Sequence, residues 1–153
     1  MKSISLALLL AMSLPVFADR MPFPTDTPTS YREECGSCHM AFQPGLLAAP
    51  DWQQTMRQLP QHFGTDATVD HKKWQEISHF LESHAGKADK LGAAGEPPRI
   101  TRTARFVRKH HEIVPALWKD ARVKSAANCE ACHRGAADGR YSEHDIVIPE
   151  LRR

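Results

Sequence analysis

Two five-residue words, CGSCH at residues 35–39 and CEACH at residues 129–133, constrain this chain more than anything else in it. Between them they contain all four cysteines, so none remains for a structural disulfide. In each, two residues separate the cysteines and a histidine follows at once. That spacing lets both thiols add across the two vinyl groups on one edge of a porphyrin, and the next residue then falls beneath the iron. Cys35, Cys38, Cys129 and Cys132 are therefore the expected attachment points of two haem c groups, with His39 and His133 as proximal iron ligands.

The rival readings of a CxxC pair fit less well. A structural zinc site would bring the two pairs together, but 90 residues separate Cys38 from Cys129, against about 15–20 in paired zinc knuckles. A thioredoxin-like redox pair needs a βαβ setting, and strand signals are nearly absent here.

Residues 1–18 carry Lys2, an uncharged run over residues 4–17 and a small-residue stop at Ala18, the three-part pattern of a secretory leader. The run of 14 residues is short of the roughly 20 that span a bilayer. The expectation is a signal peptide cleaved after Ala18 and a mature chain in the periplasm with no membrane span. The remaining 135 residues form one domain by length, with a modest apolar core. Two covalently tied rings would supplement that core. Loss of Lys2 lowers the formal charge from +2 to +1, which leaves no electrostatic footprint for nucleic acid.

Residues 19–30, with three prolines and four Thr or Ser, read as an extended arm. Residues 31–153 form the cofactor-binding domain, in two halves with a glycine- and proline-rich break near residues 86–99. Helical periodicity recurs. Trp52, Met56, Leu59 and Phe63 predict a helix after Asp51 as N-cap, terminated by Gly64. Trp74, Ile77 and Leu81 predict a second over residues 70–84, and Phe106 to Leu117 a third, starting after Thr103 and broken near Pro115. A short helix is expected before each CxxCH, and the tail through residues 146–149 is expected to wrap over the second ring. The fold class is all-α and loop-rich, with few short helices packed around two haems.

The remaining ligands decide what such a chain can do. An iron held by two imidazoles passes electrons; an open position binds oxygen, peroxide or a nitrogen oxide. Seven histidines remain after His39 and His133. His62 lies beside the stripe of Trp52, Met56, Leu59 and Phe63. His110 shares a helical face with Phe106 and Leu117, whereas His111 is turned about 100° toward charged neighbours. His62 and His110 are therefore the expected distal ligands. His84 is the reserve; His79 faces polar residues, His71 could lie near the Trp74 face, and His144 sits in a polar tail. Met56 reads as core and Met40, next to His39, cannot reach the opposite face of the ring.

CGSCHMAFQPGLL, the Trp52 segment leading to LPQHFG, RITRTARFVRKHHEI and VKSAANCEACHRGAADGRYSEHDIVIP together resemble the dihaem cytochromes c, the DHC family, over most of residues 31–149. Arg105 stands where the resemblance leads one to expect an aromatic residue. The resemblance implies an electron carrier rather than an enzyme, with two low-spin bis-histidine haems, His62 and His110 as carried histidines, and redox partners such as a membrane cytochrome b and a small oxygen-binding cytochrome. The alternative is a small dihaem enzyme or ligand-binding cytochrome with one open iron, for which the chain is short.

Overall fold

The computed structural model describes residues 20–143 and 146–148. The leader with its cleavage point, His144 and the last residues of the tail lie outside them. Six short α-helices and several 3₁₀ turns make up the regular structure, and among the described residues there is no strand beyond isolated bridges. In chain order the helices are α1 (Thr29–Cys35), α2 (Ala49–Arg57), α3 (His71–Ser83), α4 (Ala88–Leu91), α5 (Ala104–Lys109) and α6 (Pro115–Trp118). No described helix is long and apolar enough to cross a membrane.

The core lies where α1 and α2 pack on α3. It is built from Tyr31, Leu47, Trp52, Met56, Ile77, Phe80, Leu81 and Ala94. Helix α3 follows its sequence pattern closely. Asp70 caps it by accepting from the Lys73 amide at 3.0 Å, and Ile77 and Leu81 bury one face. Thr103 caps α5 in the same way, accepting from the Phe106 amide.

Helix α2 departs from expectation at both ends. It starts at Ala49, with Ala48 as N-cap and Asp51 in the first turn. Pro50 explains the early start, because proline lacks the N–H that a first turn leaves unused and has its φ already set. Pro60 explains the early end. It has no N–H to give the carbonyl of Met56, and that carbonyl accepts the Trp74 indole N–H at 3.0 Å instead. The chain continues through a 3₁₀ turn at Leu59–Gln61. His62 therefore lies beyond the helix, and Phe63 is an exposed turn residue instead of a core one.

The second half is less regular. Helix α5 stops at Lys109, earlier than Pro115 requires, and α6 restarts at Pro115. Only the first CxxCH has a helix leading into it, since α1 ends on Cys35; turns precede the second, and a 3₁₀ turn lies on Cys129–Ala131 itself. Residues 86–99 contain α4 and contribute the buried side chains Leu91 and Ala94. The N-terminal arm docks on the second half, where the Met21 amide donates to the Gly139 carbonyl at 2.7 Å. Gly139 has φ +72°, and a Cβ there would stand 1.9 Å from the Met21 oxygen, so only glycine admits the arm this closely.

Candidate functional site

Helix α1 delivers Cys35 as its last residue, and Gly36 turns the chain out of it. A Cβ at Gly36 would lie 2.2 Å from the Arg32 carbonyl oxygen, so the residue after the first cysteine has to be small. His39 follows with its Nδ1 2.7 Å from the Met40 carbonyl. A carbonyl only accepts, so Nδ1 carries the proton and Nε2 keeps a free lone pair. The Phe42 ring stands 5.0 Å from the His39 ring.

His62 reaches the same place from beyond the C-terminal end of α2. The 62–65 turn brings the Thr65 amide to the His62 carbonyl at 3.0 Å, with positive φ at both Phe63 and Gly64, the geometry of a type I′ turn. That turn projects His62 toward His39, and the ring centres are 6.4 Å apart at an interplanar angle of 35°. Phe63 packs on His62 at 4.7 Å, and the Arg99 guanidinium lies 4.0 Å over Phe63.

The second site is assembled from three segments. The His133 amide donates to the Cys129 carbonyl at 2.8 Å, which closes one turn over CEACH. Ile146 bridges to His133, and the Val147 amide donates to the Cys132 carbonyl at 3.0 Å, so this part of the tail runs along the motif. His110 is the C-cap of α5. Its ring stacks on Phe106 at 4.0 Å and stands 5.8 Å from Trp118, and its Nδ1 donates to the Phe106 carbonyl at 2.9 Å, again leaving Nε2 as the basic nitrogen. The His110 and His133 ring centres are 6.2 Å apart with planes at 87°. The Tyr141 ring meets His133 edge-on at 5.6 Å.

A metal–imidazole bond is about 2 Å long and the ring centre lies about 1 Å farther on, so two imidazoles on one metal have centres about 6 Å apart. Both pairs have that spacing. Among the described residues the large apolar side chains left exposed are Phe63, Val107 and Val114, each within four positions of His62 or His110, where a porphyrin would cover them. The residues present thus fit a haem at each site.

Electrostatics point the same way. Burial, then the neighbouring His39 and Arg99, push the His62 pKa below its ordinary value. Burial does so for His110 and Lys109 adds to it, although the bond to Phe106 opposes them. Both rings therefore favour the neutral form that binds metal. Burial pushes the Cys35 thiol up to about 12 and Cys129 to about 11, so in the free chain both favour the protonated thiol. Among the described residues no three His, Cys, Asp or Glu side chains gather as a metal site.

The other described histidines lie away from both pairs. His84 pairs with Asp26 at 2.9 Å, His71, His79 and His111 are exposed, and Met56 is part of the core. Reading the sequence missed Phe42, Gln43, Arg99, Trp118 and Tyr141 as site residues. The proximity of Phe42 and Gln43 to CGSCH was the one available signal.

The model of one protein family, described as Dihaem cytochrome c (DHC), matches residues 31–141. No curated protein sequence matches the chain. Among solved structures, it is similar to a dihaem cytochrome c of Shewanella baltica OS155, with 35% identity and a TM-score of 0.71 over 83% of this chain and 98% of that one. It is similar also to DHC purified from Rhodobacter sphaeroides, with 39% identity and a TM-score of 0.64 over 75% of this chain and 97% of that one.

Proposed function

The chain belongs to the dihaem cytochrome c family, and from that premise we propose that it is a periplasmic electron carrier whose two haems are each held by two histidines. His39 and His62 hold one iron and His133 and His110 the other; Cys35 with Cys38, and Cys129 with Cys132, make the covalent attachments. The observation that carries this reading is the pairing itself. Each motif histidine stands about 6 Å, ring centre to ring centre, from a histidine of a separate segment.

Bound haem supplies a one-electron couple at each site. The chain's own residues keep that couple simple. Carbonyl acceptors at Met40 and Phe106 lock the His39 and His110 rings in the tautomer whose Nε2 is basic. Phe63 beside His62, and Phe106 and Trp118 beside His110, hold the distal rings in place, so exogenous ligands would have to displace a packed side chain. Imidazole on both sides gives potentials below those of His/Met cytochromes, since methionine raises the potential. The periplasmic assignment is supported by the leader pattern in residues 1–18. The proposed partners are proteins that donate or accept single electrons, a membrane cytochrome b and a small oxygen-binding cytochrome among them.

Ferric electron paramagnetic resonance of the wild type, His62→Ala and His110→Ala tests the ligand assignment. Two low-spin signals are expected in the wild type, and each variant should convert one haem to high-spin and let carbon monoxide bind its reduced form. A high-spin wild-type signal, or the long-wavelength absorption of a methionine-ligated ferric haem, would refute it.

A further inference from the structure

Gln43 is a polar side chain only 2% exposed, four residues past His39, and its bonds all cross to the other half of the chain. Its Nε2 donates to the carbonyls of Ala136 at 2.8 Å and Ala137 at 3.5 Å, and its Oε1 accepts from the Tyr141 hydroxyl. Ala136 is three residues past His133 and its amide donates to the His133 carbonyl at 2.9 Å. The Tyr141 ring is the one that meets His133 edge-on.

The near end of this connection is equally fixed. Phe42 packs on His39 and its carbonyl accepts from the buried Tyr31 hydroxyl. On the other side of Gln43, the Pro44 carbonyl accepts the Trp52 indole N–H at 2.7 Å. A continuous set of contacts thus runs from the His39 ring through Phe42, Gln43 and Tyr141 to the His133 ring, anchored on both sides in the core. A buried amide with both ends bonded specifies one geometry, because any shift leaves a donor or acceptor without its partner.

We propose that Gln43 and Tyr141 form the joint that sets the two haem sites relative to one another, with Tyr141 a positioning residue for the His133 imidazole. This rests on the reading of His39 and His133 as iron ligands. The joint gives a reason for the difference between the two sites. Tyr141 meets the His133 ring edge-on, and that ring's plane lies at 87° to that of His110, whereas Phe42 lies against His39 at a shallower tilt of 36° and the first pair lies at 35°. Near-perpendicular axial imidazoles give a low-spin ferric haem with one large g value, and near-parallel ones give a rhombic spectrum. The wild-type holoprotein should therefore show one signal of each kind.

The test is ferric resonance of holoprotein carrying Tyr141→Phe, Tyr141→Ala or Gln43→Leu, with the helical circular dichroism of each checked against wild type. Tyr141→Ala should move the large-g signal toward the rhombic type, Tyr141→Phe and Gln43→Leu should shift it less, and the rhombic signal of the first haem should stay. Tyr141→Phe keeps the ring and serves if the larger changes prevent folding. Two low-spin signals that move in none of the variants overturn the joint alone. A wild type with a high-spin haem overturns the ligand reading, and the joint with it.

Discussion

Replacing Arg99 by Gln should lower the reduction potential of the first haem and leave the second nearly unchanged. The Arg99 guanidinium stands 4.0 Å from the Phe63 ring centre, and Phe63 stands 4.7 Å from His62. With about 3 Å more from the imidazole centre to a bound metal, the charge is at most about 12 Å from the iron. A unit charge at that distance contributes about 1.4 kcal/mol at an effective dielectric constant of about 20, and about half as much if water access doubles it. Since 1.4 kcal/mol corresponds to about 59 mV for one electron, the expected shift is about 30–60 mV. The sign is downward, because a nearby cation favours the iron state with less positive charge. A spectroelectrochemical titration that resolves the two haems reads the effect, and raising the ionic strength should shrink it only partly, as Arg99 is half-buried. An equal shift in both haems, or none in the first, would refute the reasoning.

Two other outcomes follow from the same geometry. Trp74→Phe removes the N–H that satisfies the Met56 carbonyl left free by Pro60, so urea unfolding should show a loss of about 1–2 kcal/mol; an unchanged midpoint would mean that water serves the carbonyl equally well. Acid should release the distal ligands. The folded-state pKa values of His62 and His110 are lowered from 6.5, so the stabilisation from neutral imidazole is complete above about pH 6.5 and is lost as the pH falls through the lowered values. Iron binding displaces the transition further in the same direction. An optical pH titration should show low-spin haem at neutral pH and high-spin haem in acid, and high-spin character appearing on alkalinisation would contradict the assignment.

Where sequence and structure agree, the signal was local. Helix α3 was legible because Asp70, Trp74, Ile77 and Leu81 combine an N-cap with a 3.6-residue apolar period. The apolar stripe through Leu59 and Phe63 predicts a longer α2 than the structure has, because a proline inside a helical pattern ends the helix whatever the stripe. The same stripe places His62 near the end of a helix. It sits instead at the start of a turn with two positive φ values, half-buried beside the exposed Phe63 ring. His110 was selected by periodicity with Phe106, and the two do stack, but as a cap contact at the end of a shorter helix.

By itself the sequence pointed to two haems and to the cysteine pairs expected to attach them, because thioether spacing and the adjoining histidine are covalent geometry within five residues. It determined the all-α class for a similar reason, through periods read over a few turns. Only the tertiary structure decided which histidine faces which. His39 meets His62 across the break that Pro60 makes after α2, and His133 meets His110 at the C-terminal end of α5, and neither approach can be counted along the chain. A contact well beyond the reach of local pattern is that of Gln43 with Tyr141, 98 residues apart. Its partners are chosen by burial, since a polar side chain taken out of water must find the hydrogen bonds it gave up.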